Sequence, residues 1–335
     1  MTSSDLILYL ILQNKQQIKQ LNKNSMQMIT DNIEIAKLYA GNQFHFSLLK
    51  SDLLNDSVNN LLKLLTDRKL LYIAEDEEEN FFQYMYIIEY SKESQYDVIQ
   101  DFTSKNDDFT FPSILIAHQG EKFHGQNNRK WEAIEGNLHL TLFFNPNIEI
   151  SNSSSTSFNI ISSVSVIEAL DEIFGLENLS KTKWINDVLI DGAKVAGCIA
   201  QSQMQANLIQ NIILGIGLNV EQSPELQNSL IVRNTTNLRK YQENSKECNL
   251  EIVLKLLLEK IKKNYFQILK DDIDEMLDLY KQRSAVTGKK VVIYPDINEN
   301  DRIKVGAVIK IGEHLELYLD NESEPVSAGR LVVLD

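Results

Sequence analysis

Apolar positions change their spacing twice along this chain. Over residues 1 to about 85 they recur at helical intervals, as in Val58-Asn59-Asn60-Leu61-Leu62-Lys63-Leu64-Leu65, against a background rich in Asn, Gln, Lys and Leu. The spacing predicts a mostly helical N-terminal extension, closed by an acidic run, Glu75-Asp76-Glu77-Glu78-Glu79, that reads as a solvated loop. From about Phe81 short apolar runs, helical stretches and glycine turns alternate, the mixed texture of an α/β or α+β domain. Pro112 to Ala117 and Asn137 to Phe144 read as buried strands. The polar segment between them, His118 to Gly136, is too long for a hairpin turn and is therefore a functional-loop candidate. Ile160, Ile161, Val164, Ile167, Leu170 and Phe174 keep helical spacing up to Gly175, a suitable residue for a helix C-terminus. A second helical block runs from about Leu250 to Lys281. Val291 to Asp335 then gives short alternating strands with turns at Pro295-Asp296, Gly312 and Asp320-Asn321, which suits a small barrel. The divisions are residues 1–85, 86–284 and 285–335.

At 335 residues the chain is long enough for about two domains, and 43% hydrophobic residues exclude a disordered chain. The net charge of −14 argues against a general nucleic-acid binder, since a phosphate backbone would be repelled by most of the surface. Two cysteines, Cys198 and Cys248, form neither a disulfide framework nor a four-ligand zinc site, so no dedicated metal centre is expected and a reducing compartment is the simpler reading. The apolar stretch Leu6 to Leu12 is too short to span a bilayer and lacks the flanks of a signal peptide. It reads as part of an ordinary helix in a soluble, cytoplasmic protein with no membrane partner.

Three segments carry candidate chemistry. In Lys183-Trp184-Ile185-Asn186-Asp187-Val188-Leu189-Ile190-Asp191-Gly192-Ala193-Lys194-Val195-Ala196-Gly197-Cys198-Ile199, Asp191-Gly192 is a strong hairpin signal. That turn places Ile190 opposite Ala193 and Leu189 opposite Lys194, with Lys183, Asp187 and Lys194 on one face. Trp184, Val188, Ile190, Val195 and Ile199 fall on the other, core face. Asn186 also lands on the core side, which requires a bend or a local partner for its amide. On spacing alone the same residues describe a surface hairpin with solvated charges. The second segment, Gly215-Ile216-Gly217-Leu218-Asn219, ends an apolar strand, and its glycines would let backbone approach a ligand. It is not a dinucleotide fingerprint, because the third glycine and the following helix are missing. The third is the loop His124-Gly125-Gln126-Asn127-Asn128-Arg129-Lys130-Trp131, whose cations and left-handed-tolerant asparagines could fold over an anion.

In this order and spacing the three segments resemble the biotin protein ligase family, which is grouped with the lipoate protein ligases. That family shows a Gly-Arg-Gly-Arg-type loop ending near a Trp, a Gly-x-Leu strand, Lys-Trp-Pro-Asn-Asp, a Lys before a Gly, and Gly-x-Gly-x-Asn. This chain has His124 to Trp131, Gly136-Asn137-Leu138, Lys183-Trp184-Ile185-Asn186-Asp187, Lys194 with Gly197, and Gly215 to Asn219. The resemblance covers about residues 86–335. It implies an α+β, mixed-sheet catalytic domain with a small C-terminal SH3-like β-barrel.

The resemblance also implies a two-step reaction, with biotin and ATP (with Mg2+) as substrates. Biotinyl-5′-AMP forms first, and a lysine of the biotin-carrier domain of a biotin-dependent carboxylase then takes the biotinyl group. Lys194, Asp187 and Lys183 are implied as the catalytic group, with Lys194 bridging the biotin carboxyl and the α-phosphate. Ser94, Gln95, Gln119, His124, Gly125, Gln126, Lys194 and Gly197 are implied for biotin. Arg129, Lys130, Trp131, Asn186, Lys194, Gly217 and Asn219 are implied for ATP. The loop arginines are replaced by His124 and Gln126, so unless Lys122, Arg129 and Lys130 compensate, the adenylate should be held loosely. A lipoate or octanoate ligase of the same fold, and a non-catalytic biotin or nucleotide regulator, are the competing readings. One form of the latter makes the first 85 residues a winged helix, against which the acidic run at a wing position argues.

Overall fold

The computed structural model describes residues 24–50, 54–150, 152–224, 234–295 and 303–334. The apolar stretch Leu6 to Leu12 and the turn residue Asp296 lie outside them. Eleven strands share one mixed sheet: β1 (Asn24–Thr30), β2 (Ser47–Leu48), β3 (Tyr72–Asn80), β4 (Tyr84–Ser91), β5 (Ser113–Gly120), β6 (Leu138–Phe144), β7 (Ile148–Glu149), β8 (Ser180–Lys183), β9 (Asp187–Ile190), β10 (Ala193–Gln205) and β11 (Leu208–Leu218). Their order is β2-β3-β1-β4-β5-β6-β11-β10-β9-β8, with β7 pairing β11 off this path. β4 runs parallel to both β1 and β5, and the remaining neighbours are antiparallel. The helices are α1 (Ile33–Ala40), α2 (Asp56–Leu65), α3 (Gln95–Thr103), α4 (Asn152–Asp171), α5 (Leu250–Leu269) and α6 (Asp274–Gln282). The C-terminal module is a separate antiparallel sheet of β12 (Lys290–Tyr294), β13 (Lys304–Ile311), β14 (Leu317–Leu319) and β15 (Arg330–Val333), ordered β14-β13-β12-β15.

Strand alternation sorts the sheet into two faces. In β6, Leu138, Leu140, Leu142 and Phe144 point into the main core, where α4 and α5 pack. Phe143 joins a second cluster on the opposite face, beneath Val58 and Leu61 of α2 and Ile99 and Phe102 of α3. Further along that second face, β6, β11 and β10 present His139, Thr141, Gly215, Gly217 and Gly197 to the wall of a cavity. Trp184 is buried in the main core, and its Nε1 donates to the Leu315 carbonyl at 2.6 Å, fastening the C-terminal sheet to the larger one.

Several expectations change. The N-terminal part does contain the helix expected around Val58 to Leu65, but residues 24–80 also supply β1, β2 and β3 to the main sheet. They are therefore not a mostly helical extension. The acidic run is strand, not loop: β3 pairs with β1 through Gln27↔Glu75 and Met28↔Ala74. Its backbone is satisfied by the ladder while Glu75, Glu77 and Glu78 stay exposed, so the charge does not oppose pairing. Helix α4 starts earlier than the apolar period suggests, because its first turns are serine-rich, and it stops at Asp171. Phe174 lies beyond that end and is 74% exposed rather than core.

Asp31, just after β1, joins these parts. One carboxylate oxygen accepts from the Glu89 amide of β4 and the other from the Thr66 hydroxyl after α2, both at 2.8 Å. Replacing Asp31 with Ala is expected to lower the unfolding free energy by ~1–3 kcal/mol, read by urea denaturation. An unchanged midpoint would mean that this tie contributes nothing to holding β1 in the sheet.

Candidate active site

The floor of the cavity is built on the β9–β10 hairpin. Asp191 and Gly192 form the turn with φ of 51° and 74°, and Ile190↔Ala193 and Leu189↔Lys194 pair as the sequence predicts. The register then shifts between Lys194 and Ala196, so Val188 meets Ala196 and Asp187 meets Gly197. Val195 is the additional residue of a β-bulge, and it is fully buried in the core. Lys194 remains on the Asp187 side, with Nζ 2.7 Å from Oδ1 and side-chain exposures of 15% and 11%. Beyond the bulge the alternation is inverted. Ile199, expected on the core face with Trp184, lines the cavity instead. Asn186 sits in the bend between β8 and β9, and both of its expected solutions occur: the strand breaks, and its side chain donates to the Cys198 carbonyl.

Strand register aligns Asp187, Gly197, Gly217 and His139 in one row across four strands. The Trp131 indole lies over this row. A Cβ added at Gly217 would come within 2.3 Å of the ring, so that glycine is required by close approach, and one at Gly197 would come within 2.8 Å of Lys194 Nζ and 3.2 Å of the ring. Lys194 Nζ stands 5.5 Å from the indole centroid. Trp131 is carried by a flap in which its amide donates to the Phe123 carbonyl and the Gly125 amide to the Arg129 carbonyl, each at 2.8 Å. At the flap tip Asn127 and Asn128 adopt φ of 56° and 54°, the left-handed conformation their residue type tolerates. Trp131 Nε1 donates to His139 Nδ1 at 3.2 Å, and His139 Nε2 faces the Ile134 carbonyl at 2.9 Å.

Most of the residues singled out in the sequence meet around this one cavity of about 420 Å³. Ser94, His124, Gly125 and Gln126 stand on its wall, as do Arg129, Lys130 and Trp131. So do Asn186, Asp187, Lys194, Gly197, Gly217 and Asn219. Lys183, Gln95 and Gln119 do not. Lys183 is buried opposite Asp187 in the β8–β9 ladder, Gln95 is fully buried at the start of α3, and Gln119 is half-buried in β5 beside Tyr90. Tyr96, His139, Thr141 and Thr235 line the cavity without having been proposed for the site. His139 and Thr141 were legible in principle, as the polar alternates of Leu138-His139-Leu140-Thr141-Leu142. Thr235 reaches the site only through the contact of its segment with Lys194.

Charge in the site is locally paired. His124 Nδ1 faces the Gly125 carbonyl at 3.0 Å and Nε2 faces the Asp97 carboxylate at 2.8 Å. Burial opposes the imidazolium, but the Gly125 carbonyl and Asp97 outweigh it and raise the His124 pKa. His124, with its own carboxylate beside it, thus stands where the loop it resembles has arginine. Lys122 is engaged by Glu93, Lys130 stands 3.4 Å from Glu132, and Arg129 Nε donates to the Gln126 carbonyl at 3.0 Å. The buried polar atoms without a partner include Asn219 Oδ1 on the cavity wall, whose amide nitrogen already donates to the Thr236 carbonyl, and both amide atoms of Gln95. An unpaired buried acceptor costs ~1–3 kcal/mol, which a polar ligand group at Asn219 would offset. Burial, reinforced by the Asp187 charge, pushes the Cys198 thiol up to about 12, and burial takes Cys248 to about 11, so neither supplies a thiolate near neutrality. Among the described residues no cluster of three or more His, Cys, Asp and Glu side chains is placed to hold a metal, and no helix is long and apolar enough to cross a membrane.

Burial lowers the His139 pKa from 6.5 to about 4, against the raising effect of the Ile134 carbonyl and with help from nearby His118. Because the folded value lies below the unfolded one, acid favours the unfolded chain. Stability is expected to fall as pH drops from about 6.5 and to level off, for this residue, below about 4. Urea denaturation across that range, with His139→Asn as the non-titrating reference, should show a smaller acid loss in the variant.

The sequence pattern of the Biotin/lipoate A/B protein ligase family matches residues 113–219, a stretch that runs from β5 through the flap and the hairpin to Asn219. The bifunctional ligase/repressor BirA of Bacillus subtilis is 28% identical over 113 residues, 33% of this chain and 34% of that protein. A biotin–[acetyl-CoA-carboxylase] ligase of Paracoccus denitrificans is 31% identical over 111 residues, 33% of this chain and 45% of that protein. The matches therefore span less than half of either relative. In fold, the chain is similar to the biotin protein ligase from Aquifex aeolicus solved with biotin and ATP, with a TM-score of 0.57 at 20% identity over 76% of this chain and 99% of that one. Residues 113–219 thus match the pattern of the biotin/lipoate A/B protein ligase family, and the fold of the chain is similar to that of a biotin protein ligase.

Proposed function

We propose that this protein is an ATP-dependent biotin protein ligase, acting in the cytoplasm on a lysine of the biotin-carrier domain of a carboxylase. The observation that carries the reading is the Lys194–Asp187 pair, 2.7 Å apart on a glycine floor beneath Trp131. In the first step the biotin carboxylate attacks the α-phosphorus of ATP, the bond to the bridging oxygen breaks, and pyrophosphate leaves with Mg2+. Two anions must approach each other, and the Lys194 ammonium, drawn from Asp187 toward both, neutralises them where charge accumulates. Arg129 and the His124 imidazolium add positive charge from the flap, and the unpartnered Asn219 Oδ1 faces the nucleotide end.

In the second step the acceptor amine attacks the acyl carbon of biotinyl-5′-AMP and AMP leaves. The acceptor arrives as an ammonium, and Asp187, released from Lys194, steers it and takes its proton. Ser94 and Gln95 supply polar groups for the biotin end, with Gln95 reaching it only by rotating from its buried position. Lys183 and Asn186 shape the Asp187 turn rather than react. The winged-helix regulator has no support from residues 24–80, whose strands belong to the main sheet.

Biotin-dependent exchange of labelled pyrophosphate into ATP tests the first step. Wild-type protein should exchange with biotin and not with lipoate, and Lys194→Ala should lower the rate by about 10²–10³-fold. Exchange with lipoate alone would establish the acyl ligase instead, and none with either acid would overturn adenylation. A second expectation follows from the flap. With His124, Lys122 and Lys130 already paired to Asp97, Glu93 and Glu132, leaving Arg129 as the flap cation without a carboxylate among the described residues, the adenylate should escape, so hydroxylamine added without acceptor protein should collect biotinyl hydroxamate continuously. A single stoichiometric burst would show instead that the intermediate is retained.

A further inference from the structure

We infer that His139 is the positioning residue of Trp131, holding the indole in register over the glycine floor as a hydrogen-bond acceptor. The role of that indole as the cover of the reacting groups rests on the ligase reading; the positioning itself does not. The floor beneath Trp131 is made of Gly197 and Gly217, which allow close contact but offer no side chain to stop the ring from sliding. The flap that carries the ring ends in exposed asparagines, and its backbone bond to Phe123 fixes the height of Trp131 rather than the direction of its indole. The directional tie is the Nε1–H bond to His139 Nδ1 at 3.2 Å.

That bond needs one form of the imidazole. Nδ1 accepts only when it carries no proton, and the Ile134 carbonyl at 2.9 Å from Nε2 keeps the proton on the other nitrogen. The ring is nearly fully buried, with the Phe123 ring against it at 5.9 Å between centroids in a T-shaped arrangement. His139 also stands on the cavity face of β6, whose core is supplied by its leucine neighbours. A side chain there purely for packing would be apolar; this one has both nitrogens committed, one of them to the indole.

The test compares His139→Leu, which removes the acceptor, with His139→Asn, whose amide oxygen occupies the Nδ1 position. Emission of Trp131 is isolated by subtracting the spectrum of Trp131→Phe, and the kinetic constants for biotin and ATP are measured by pyrophosphate exchange. His139→Leu should shift the Trp131 emission and raise the KM for the substrates by about tenfold, with a smaller change in kcat. His139→Asn should restore both readouts to within about threefold of wild type. Equal impairment of the two variants, or wild-type emission and KM in His139→Leu, would overturn the inference. If His139→Leu does not fold, His139→Gln, whose carbonyl reaches one bond further, replaces it: recovery by Asn and not by Gln supports the acceptor, and equal behaviour rejects it. If wild-type protein shows no exchange, the ligase reading fails, and the emission of the variants still decides the role of His139.

Discussion

One extra residue in a β-ladder governs the arrangement of the site. Val195 enters the β9–β10 pairing as a bulge, puts its own side chain into the core, and leaves Lys194 on the same side as Asp187. Without the bulge, strict alternation would turn Ala196 and Cys198 toward the cavity and Gly197 toward the core. With it, Gly197 falls in line with Asp187, Gly217 and His139, and the strip becomes flat enough for an indole to lie on it. The closeness of lysine, carboxylate and aromatic ring is therefore a consequence of register rather than of loop placement, and register is held by the hydrogen bonds of a sheet.

Around the cavity of this acidic chain the charges are settled pair by pair. Lys194 has Asp187, His124 has Asp97, and Lys122 has Glu93, each within reach of the cavity or of the flap over it. At this range a neighbouring charge outweighs the field of the distant surface, which solvent screens within about 8–10 Å. The pairs lower the cost of holding these cations close together.

The N-terminal stretch shows how strongly tertiary context can act on a polar sequence. Glu75 to Glu79 would repel itself as an isolated strand, yet it is held opposite β1, whose Met26, Met28 and Ile29 are buried. The apolar side chains of one strand stabilise the pairing, and Glu75, Glu77 and Glu78 of the other remain exposed. Asp31 then connects β1 to β4 and to the end of α2, so the same sheet that carries the flap and the hairpin is continued by these residues.

Local chemistry was legible from the sequence wherever one residue type answers one local need. The Asp191-Gly192 turn, the left-handed asparagines of the flap, the two close glycines of β11 and the leucine alternation of β6 each express a short-range steric or solvation rule. The strand character of Glu75 to Glu79, the outward position of Phe174, the inverted face of Ile199 and the bond from Trp131 to His139 were not legible in that way. They depend on strand pairing across the sheet, on where a helix ends, on how a flap folds back over its neighbouring strand, or on a single inserted residue that reverses a period-two count. What the sequence by itself determined is the set of groups and their turns; the tertiary structure decided which of them meet, because strand register and burial are properties of the whole sheet.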